Sequence, residues 1–166
     1  MIGTIIEFAK ESLFKHQFNV GRTLEIGSYN VNGTIRDSFQ HKSNEYIGVD
    51  QSAGPCVDLV INAHELLDCF GSNSFDTILC CEMLEHDPQF WLTVGIMHQM
   101  LKPNGYLFVS TPTFGFPLHR FPKDYWRFGE DAYREFIFKG FEILEIGEVK
   151  DCMNSPVLCC LGRKIP

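Results

Sequence analysis

The chain has 166 residues, a net charge of −7 and a pI near 5.3, with 45% hydrophobic and 21% charged residues. That length suits one domain and lets folding bury roughly 70% of the surface that the unfolded chain exposes. The acidic balance excludes a broad nucleic-acid surface, which needs clustered Lys and Arg, and no run approaches the ~18 apolar residues of a membrane span.

Met1 to Phe18 carries Glu7, Lys10, Glu11 and Lys15 and does not read as a signal peptide. Ile2, Ile5, Ile6, Ala9 and Leu13 recur at helical spacing and predict an amphipathic opening helix. Thr23 to Ile26 is the first expected strand, followed by a helix from about Gly33 to Phe39. Tyr46 to Asp50 is the second strand and Val57 to Ile61 a short buried third. Asn62 to Leu67 reads as a loop or brief helical turn, Gly71 to Ser74 as a turn, and Thr77 to Cys81 as a fourth strand. Asp87-Pro88 offers an N-cap acid and then a proline at the first helical position, with Phe90, Val94, Met97 and Leu101 lining one face beyond. Lys102-Pro103-Asn104-Gly105 stops that helix and turns the chain into a fifth strand, Tyr106 to Ser110. A long segment rich in proline and aromatic residues, Thr111 to Phe128, follows. Glu130 to Phe138 reads as a helix ending at Gly140, and Phe141 to Val149 with Val157 to Leu161 as a last strand pair.

Strands that alternate with helices predict an α/β fold, a doubly wound and mostly parallel seven-stranded sheet with an antiparallel pair at its C-terminal edge. No linker interrupts the pattern, so residues 1–166 read as a single domain. The cysteines are Cys56, Cys69, Cys80, Cys81, Cys152, Cys159 and Cys160, with no CxxC spacing. They indicate neither a zinc site nor a redox motif, and no metal site is expected. Most lie in apolar runs, where a free thiol packs as a small hydrophobe, which suits a reducing cytoplasm.

The informative stretch is Thr23-Leu24-Glu25-Ile26-Gly27-Ser28-Tyr29-Asn30-Val31-Asn32-Gly33. In a doubly wound sheet, ligands bind beyond the carboxyl ends of the strands, where strand order reverses. Gly27 lets backbone approach a ligand, and Asp50 at the next strand's end suits the vicinal hydroxyls of a ribose. Each residue alone reads as an ordinary turn or strand end; in this order they favour ligand binding. A dinucleotide would call for Gly-x-Gly-x-x-Gly, which is absent.

Leu24-Glu25-Ile26-Gly27, Tyr46-Ile47-Gly48-Val49-Asp50, Ser74-Phe75-Asp76-Thr77-Ile78, Glu82-Met83-Leu84-Glu85-His86 and Leu101-Lys102-Pro103-Asn104-Gly105-Tyr106-Leu107 occur in that order. Together they resemble the class I S-adenosylmethionine-dependent methyltransferases along nearly the whole chain. The resemblance implies a Rossmann-like fold, S-adenosylmethionine as cofactor and S-adenosylhomocysteine as product. It places Glu25 and Gly27 near the methionine portion, Asp50 on the ribose, and Asn62, Ala63 and His64 around the adenine. Tyr29 and Val31 stand where the family has small residues, so the loop reads as longer, with Ser28, Asn30 and Asn32 giving polar contacts and Gly33 closing it. Cys81 is expected near the mouth of the same pocket.

Methyl transfer from a sulfonium needs orientation and a dry pocket, and a base only where the acceptor atom carries a proton. Glu82 and Glu85 read as solvent-facing or bracing, and His86 as packing against or capping the next helix. The acceptor is expected at the loop after strand five. There His119 suits a base, Asp124 its orienting partner, and Tyr125, Trp126 and Arg127 acceptor contacts. A self-packed loop with an Asp124–Arg127 ion pair is the competing reading. The Asp124-Tyr125-Trp126-Arg127-Phe128 core resembles a stretch of small bacterial methyltransferases of glycan and secondary metabolism, which implies a hydroxyl on a small molecule or sugar. The alternative is a protein that binds S-adenosylmethionine or S-adenosylhomocysteine without catalysis. The sequence carries no signal for an oligomeric state.

Overall fold

A computed structural model of the chain describes residues 3–18, 20–151 and 153–166. The opening helix α1 spans Gly3–His16 and buries Ile5, Ala9 and Leu13, as the spacing predicts; Ile2 and Cys152 lie outside the described residues. Strand β1 is Arg22–Ile26, a four-residue helix α2 is Arg36–Phe39, and β2 is Glu45–Asp50. A two-residue β3, Leu59–Val60, precedes α3, Leu66–Phe70. Then come β4 (Phe75–Cys81), α4 (Phe90–Met100) and β5 (Leu101–Pro112). Helix α5 starts at Glu130–Ala132 and widens into a π-turn over Tyr133–Ile137; β6 (Phe141–Lys150) and β7 (Pro156–Lys164) complete the sheet.

The strand order is β3-β2-β1-β4-β5-β7-β6. The pairs from β3 across to β5 are parallel, and β7 runs antiparallel to both β5 and β6. The order reverses between β1 and β4, which opens a crevice at their carboxyl ends.

Alternation along the strands feeds two cores. Leu24, Ile26, Ile78 and Cys80 face one side with Leu66, Met97, Met100 and Tyr133. Leu79, Cys81 and Phe108 face the other with Ile5, Ala9, Leu13 and Phe39. Covered on both faces, β4 reads as a continuous apolar run, as a central parallel strand must. The same alternation splits the cysteine pairs: Cys80 and Cys160 join the first core, Cys81 and Cys159 the second.

The third strand is shorter than the expected Val57 to Ile61 and exposed rather than buried, since it lies at the sheet edge, and three further boundaries differ from the expected ones. Helix α2 begins at Arg36 rather than near Gly33, because the segment before it is spent on a loop around the crevice. Asp87 caps earlier than α4 itself: its Oδ1 accepts from the Gln89 amide at 2.8 Å and its Oδ2 from the Thr93 hydroxyl at 2.6 Å, holding a turn ahead of Phe90. Lys102–Gly105 forms a bulge inside β5, since Phe75 pairs with Leu101 while Thr77 pairs with Tyr106. Asn104 takes φ +63° there, and a Cβ on Gly105 would sit 2.9 Å from the Lys102 carbonyl oxygen.

Candidate active site

A cavity of about 1500 Å³ opens along the carboxyl ends of β1, β2 and β4 and under the loop that follows β5. Its first end is made by the turn out of β1. The Gly27 and Ser28 amides both donate to the Val49 carbonyl, at 2.9 and 3.0 Å, pinning the loop to β2. Gly27 needs its glycine twice over: φ is +78°, and a Cβ would stand 2.8 Å from the Met83 side chain. Asp50 stands at the end of β2, where its Oδ1 accepts from the Ser52 amide at 2.9 Å and its Oδ2 faces the Tyr29 amide at 3.4 Å.

Glu25 is only 2% exposed, and the Tyr46 hydroxyl donates to its Oε2 at 2.8 Å. Burial pushes its carboxyl up to about 7, with the Tyr46 hydrogen bond and the Arg36 charge pulling back. Arg36 stacks on the Tyr46 ring at 5.0 Å and clamps Asp58 with one guanidinium nitrogen, so a column of side chains holds the acid from below.

Glu25, Gly27, Ser28, Gly33, Asp50, Asn62, Ala63, His64 and Cys81 all line the cavity. Asn30 does not: its Oδ1 accepts from the Gly33 amide at 2.9 Å, so it braces the loop instead of facing a ligand. Tyr29 fits where a small residue was expected because Gly54 makes room, a Cβ there lying 1.9 Å from the ring. The Asn62 side chain caps the turn at His64, whose Nε2 lies 3.0 Å from Asp87 Oδ2.

The second end joins β4 to the loop after β5. Glu85 is 0% exposed, and among the described residues neither carboxylate oxygen has a hydrogen-bond partner. Of the two readings the sequence offered, solvent-facing or bracing, the first fails for Glu85, and its carbonyl does brace the later loop by accepting from the Tyr125 amide at 2.8 Å. Glu82, at φ +52°, accepts from the Ser110 hydroxyl at 3.2 Å and lines the cavity. Desolvation raises both carboxyls above the usual range, and their mutual repulsion adds to the rise at Glu82. His86 and His119 line the cavity and meet edge to face, with ring centroids 4.9 Å apart.

Asp124 and the residues expected at the acceptor lie outside this lining. Arg127 is used up as a clasp. It grips Asp124 through Nη1 and Nη2 at 2.5 and 2.7 Å and donates to the carbonyls of Phe116, Pro117 and Trp126. This grip holds the Asp124 carboxyl well below the usual range, with the His119 amide, 2.7 Å away, helping. Trp126 packs on Phe90 and donates from Nε1 to the Asp87 carbonyl at 2.9 Å, while the Tyr125 amide donates to the Glu85 carbonyl at 2.8 Å. Trp126 and Arg127 are thus engaged within the loop, as the competing self-packed arrangement has them, while the Tyr125 side chain stays 43% exposed. The loop's Phe116, Leu118 and Phe121 line the cavity; the sequence marked the loop's aromatic rings as a group but did not separate these from Tyr125 and Trp126.

A family model described as a methyltransferase domain matches residues 4–139. The 1,6-didemethyltoxoflavin-N1-methyltransferase of Burkholderia thailandensis, solved with 1,6-didemethyltoxoflavin and S-adenosylhomocysteine, superposes with a TM-score of 0.79 at 19% identity, over 98% of this chain and 79% of that one. The N-methyltransferase NodS of Bradyrhizobium japonicum gives a TM-score of 0.70 at 15% identity, over 97% and 85%. In sequence, the ubiquinone biosynthesis O-methyltransferase of Xanthomonas euvesicatoria is 41% identical over 59 residues, 36% of this chain. That of Ralstonia nicotianae is 38% identical over 73 residues, 44% of this chain. The matched segments span 25% and 28% of those relatives' lengths. With the family model covering most of the chain and the sheet in this order, the chain belongs to the methyltransferase-domain family, among the class I S-adenosylmethionine-dependent methyltransferases.

Proposed function

We propose that residues 1–166 act as one domain that binds S-adenosylmethionine along the ends of β1 and β2, methylates a hydroxyl oxygen of a small-molecule or sugar acceptor, and releases S-adenosylhomocysteine. The cavity fits that cofactor on two counts. Asp50 ends β2 at the cavity wall with its carboxylate oriented by the Ser52 amide, and about 1500 Å³ exceeds what one drug-sized ligand fills. Asp50 would receive the ribose hydroxyls; Glu25, Gly27, Ser28 and Gly33 the methionine portion; Asn62, Ala63 and His64 the adenine; Cys81 the floor between. When bound, S-adenosylmethionine supplies a methyl group already activated on a sulfonium.

The observation that carries the oxygen reading is the group of proton acceptors at the second end. A hydroxyl must shed its proton as it attacks, and Glu82, His86 and His119 line the wall where it would do so. In this reading the acceptor oxygen attacks the methyl carbon, the carbon–sulfur bond breaks as the carbon–oxygen bond forms, and the hydroxyl proton passes to the His119 side. Asp124 acts through His119, its Oδ2 lying 3.4 Å from Nδ1 and accepting from the backbone amide. The names of the two curated O-methyltransferases support oxygen as the atom methylated. Calorimetric titration with S-adenosylmethionine and S-adenosylhomocysteine, then a labelled-methyl screen of phenols, sugars and amines, tests the reading. Methylation confined to amines, or no binding of either sulfur ligand, would overturn it.

A further inference from the structure

Glu85 sets the problem. Its carboxylate is 0% exposed, no hydrogen bond reaches either oxygen from the described residues, and two imidazoles point at it. His86 Nε2 is 3.5 Å and His119 Nε2 3.6 Å from the same oxygen, Oε1. Those separations are too long for hydrogen bonds. They match the edge of a coordination tetrahedron, which is about 3.4 Å when ligand bonds are about 2.1 Å.

The far side of the His86 ring argues the same way. His86 Nδ1 lies 2.5 Å from the Lys123 carbonyl oxygen, an acceptor only, so Nδ1 donates there and Nε2 is the nitrogen turned toward Glu85. His119 Nδ1 makes no hydrogen bond among the described residues and lies 3.4 Å from the Asp124 carboxylate, which holds the His119 backbone amide and is itself fixed by Arg127. Imidazoles that ligate a metal through one nitrogen are commonly oriented by a carbonyl or a carboxylate on the other, as His86 is by Lys123. Here both Nε2 atoms converge on an orphaned buried carboxylate.

We propose that Glu85, His86 and His119 form a binding site for one divalent transition-metal ion of the kind that favours imidazole nitrogen, such as zinc or cobalt. Their ligating atoms lie within 4.8 Å of one another. Two imidazoles and one carboxylate make a three-ligand set that leaves coordination positions open, whereas magnesium and calcium prefer all-oxygen sites. Because His86 and His119 line the cavity, the open side faces the space assigned to the acceptor. With the ion bound, a water or an acceptor oxygen would complete the shell there and lose its proton more readily; His119 Nε2 would then be occupied, and Glu82 in the same wall would take that proton in its place. The three ligands come from two separate segments, so the ion also ties the loop after β5 to the turn after β4.

The test uses the full chain and Co²⁺ alone, with no methyl donor present, so its outcome is independent of the cofactor reading. One equivalent of Co²⁺ should produce the visible bands of a nitrogen- and oxygen-ligated site, and Zn²⁺ but not Mg²⁺ should displace it. Glu85→Gln and His119→Ala should each weaken Co²⁺ binding by about 30-fold or more. His119 lies on a surface loop with a third of its side chain exposed, so its variant leaves both cores untouched. Absence of a stoichiometric spectrum in the wild type would overturn the proposal, as would binding that both variants retain. Thiolate charge-transfer bands would place the ion on a cysteine and overturn it equally.

Discussion

At the β1–β2 end the cavity is shaped by backbone: two amides on the Val49 carbonyl, a glycine at φ +78° and one carboxylate at a strand end. At the β4–β5 end it is shaped by side chains from distant segments, with Glu85 and His119 facing each other across 34 positions and Arg127 fastening the loop between them. The first end is stiffened by the sheet itself. The second depends on ion pairs and would loosen if any one were cut. Under the proposed function that division is useful: the common methyl donor would meet a fixed surface, while the part that must suit an acceptor would hang on a loop that can be rebuilt without touching the sheet.

Cutting the clasp is the largest blow available to this comparison. Arg127→Ala leaves the Asp124 carboxylate, 0% exposed, without its bidentate partner and frees three backbone carbonyls. Removing one partner of a buried pair costs about 3–5 kcal/mol. Denaturant unfolding of the variant should show a loss of that size, together with faster proteolysis between Thr113 and Phe128. An unchanged midpoint would mean that the loop is held by its aromatic packing alone.

The β1 end should respond to pH through Glu25. Its carboxyl is raised from 4.5 to about 7 by burial. Between those values the unfolded chain has lost a proton that the folded chain keeps, so stability falls as pH rises through that window and stays lower above it. The full loss is about 3 kcal/mol, at 1.36 kcal/mol for each pH unit. Glu25→Gln keeps an acceptor for Tyr46 and should remove this part of the slope. Unfolding curves of both proteins at pH 4.5, 6 and 7.5 measure the difference; parallel curves would show that Glu25 ionises freely in the fold.

Gly27→Ala probes the same end by shape. It forces φ +78° on an alanine and puts a methyl 2.8 Å from the Met83 side chain. A residue held in the left-handed region costs about 1–3 kcal/mol, and the displaced turn should weaken S-adenosylmethionine binding more than it weakens folding. Calorimetry and thermal unfolding on one preparation separate the two.

How far the two ends could be read in the sequence follows from how they are built. Gly27, Asp50 and the apolar strands between them are local signals, so the sheet order and the turn that lines the cavity beside Asp50 were legible. The alternation that splits Cys80 from Cys81 was legible too, because strand period alone fixes it. Helix α2 was placed too early because Asn30 and Gly33 look like a helix entry and are instead a self-braced loop. The second end was hidden for a different reason. Glu82, Glu85 and His86 sit beside a helix start, where exposed acids are ordinary, and it is the later loop, reaching Glu85 through the Tyr125 amide and His86 through the Lys123 carbonyl, that packs against them. Asp124 and Arg127 were legible as a pair, yet which way that pair faced depended on three carbonyls that no spacing reveals.

Asp50→Ala should have the smallest effect on the fold and the most selective effect on the cofactor. Its carboxylate already accepts from the Ser52 amide and faces that of Tyr29, so it arrives at the cavity pre-oriented, with lone pairs left for two hydroxyls. Hydrogen bonds to a charged acceptor contribute about 1.5–3 kcal/mol each. Affinity for S-adenosylmethionine should therefore fall by about 100-fold or more, while the unfolding midpoint moves little because Asp50 is half-exposed. Asp50→Asn should fall between, since an amide accepts from one hydroxyl but carries no charge. The ordering wild type, Asn, Ala is the decisive point. If Asn and Ala weaken binding equally, the charge alone matters and the ribose lies elsewhere along the β1–β2 end. If neither does, the backbone of the Gly27 turn holds the cofactor without help from this strand end.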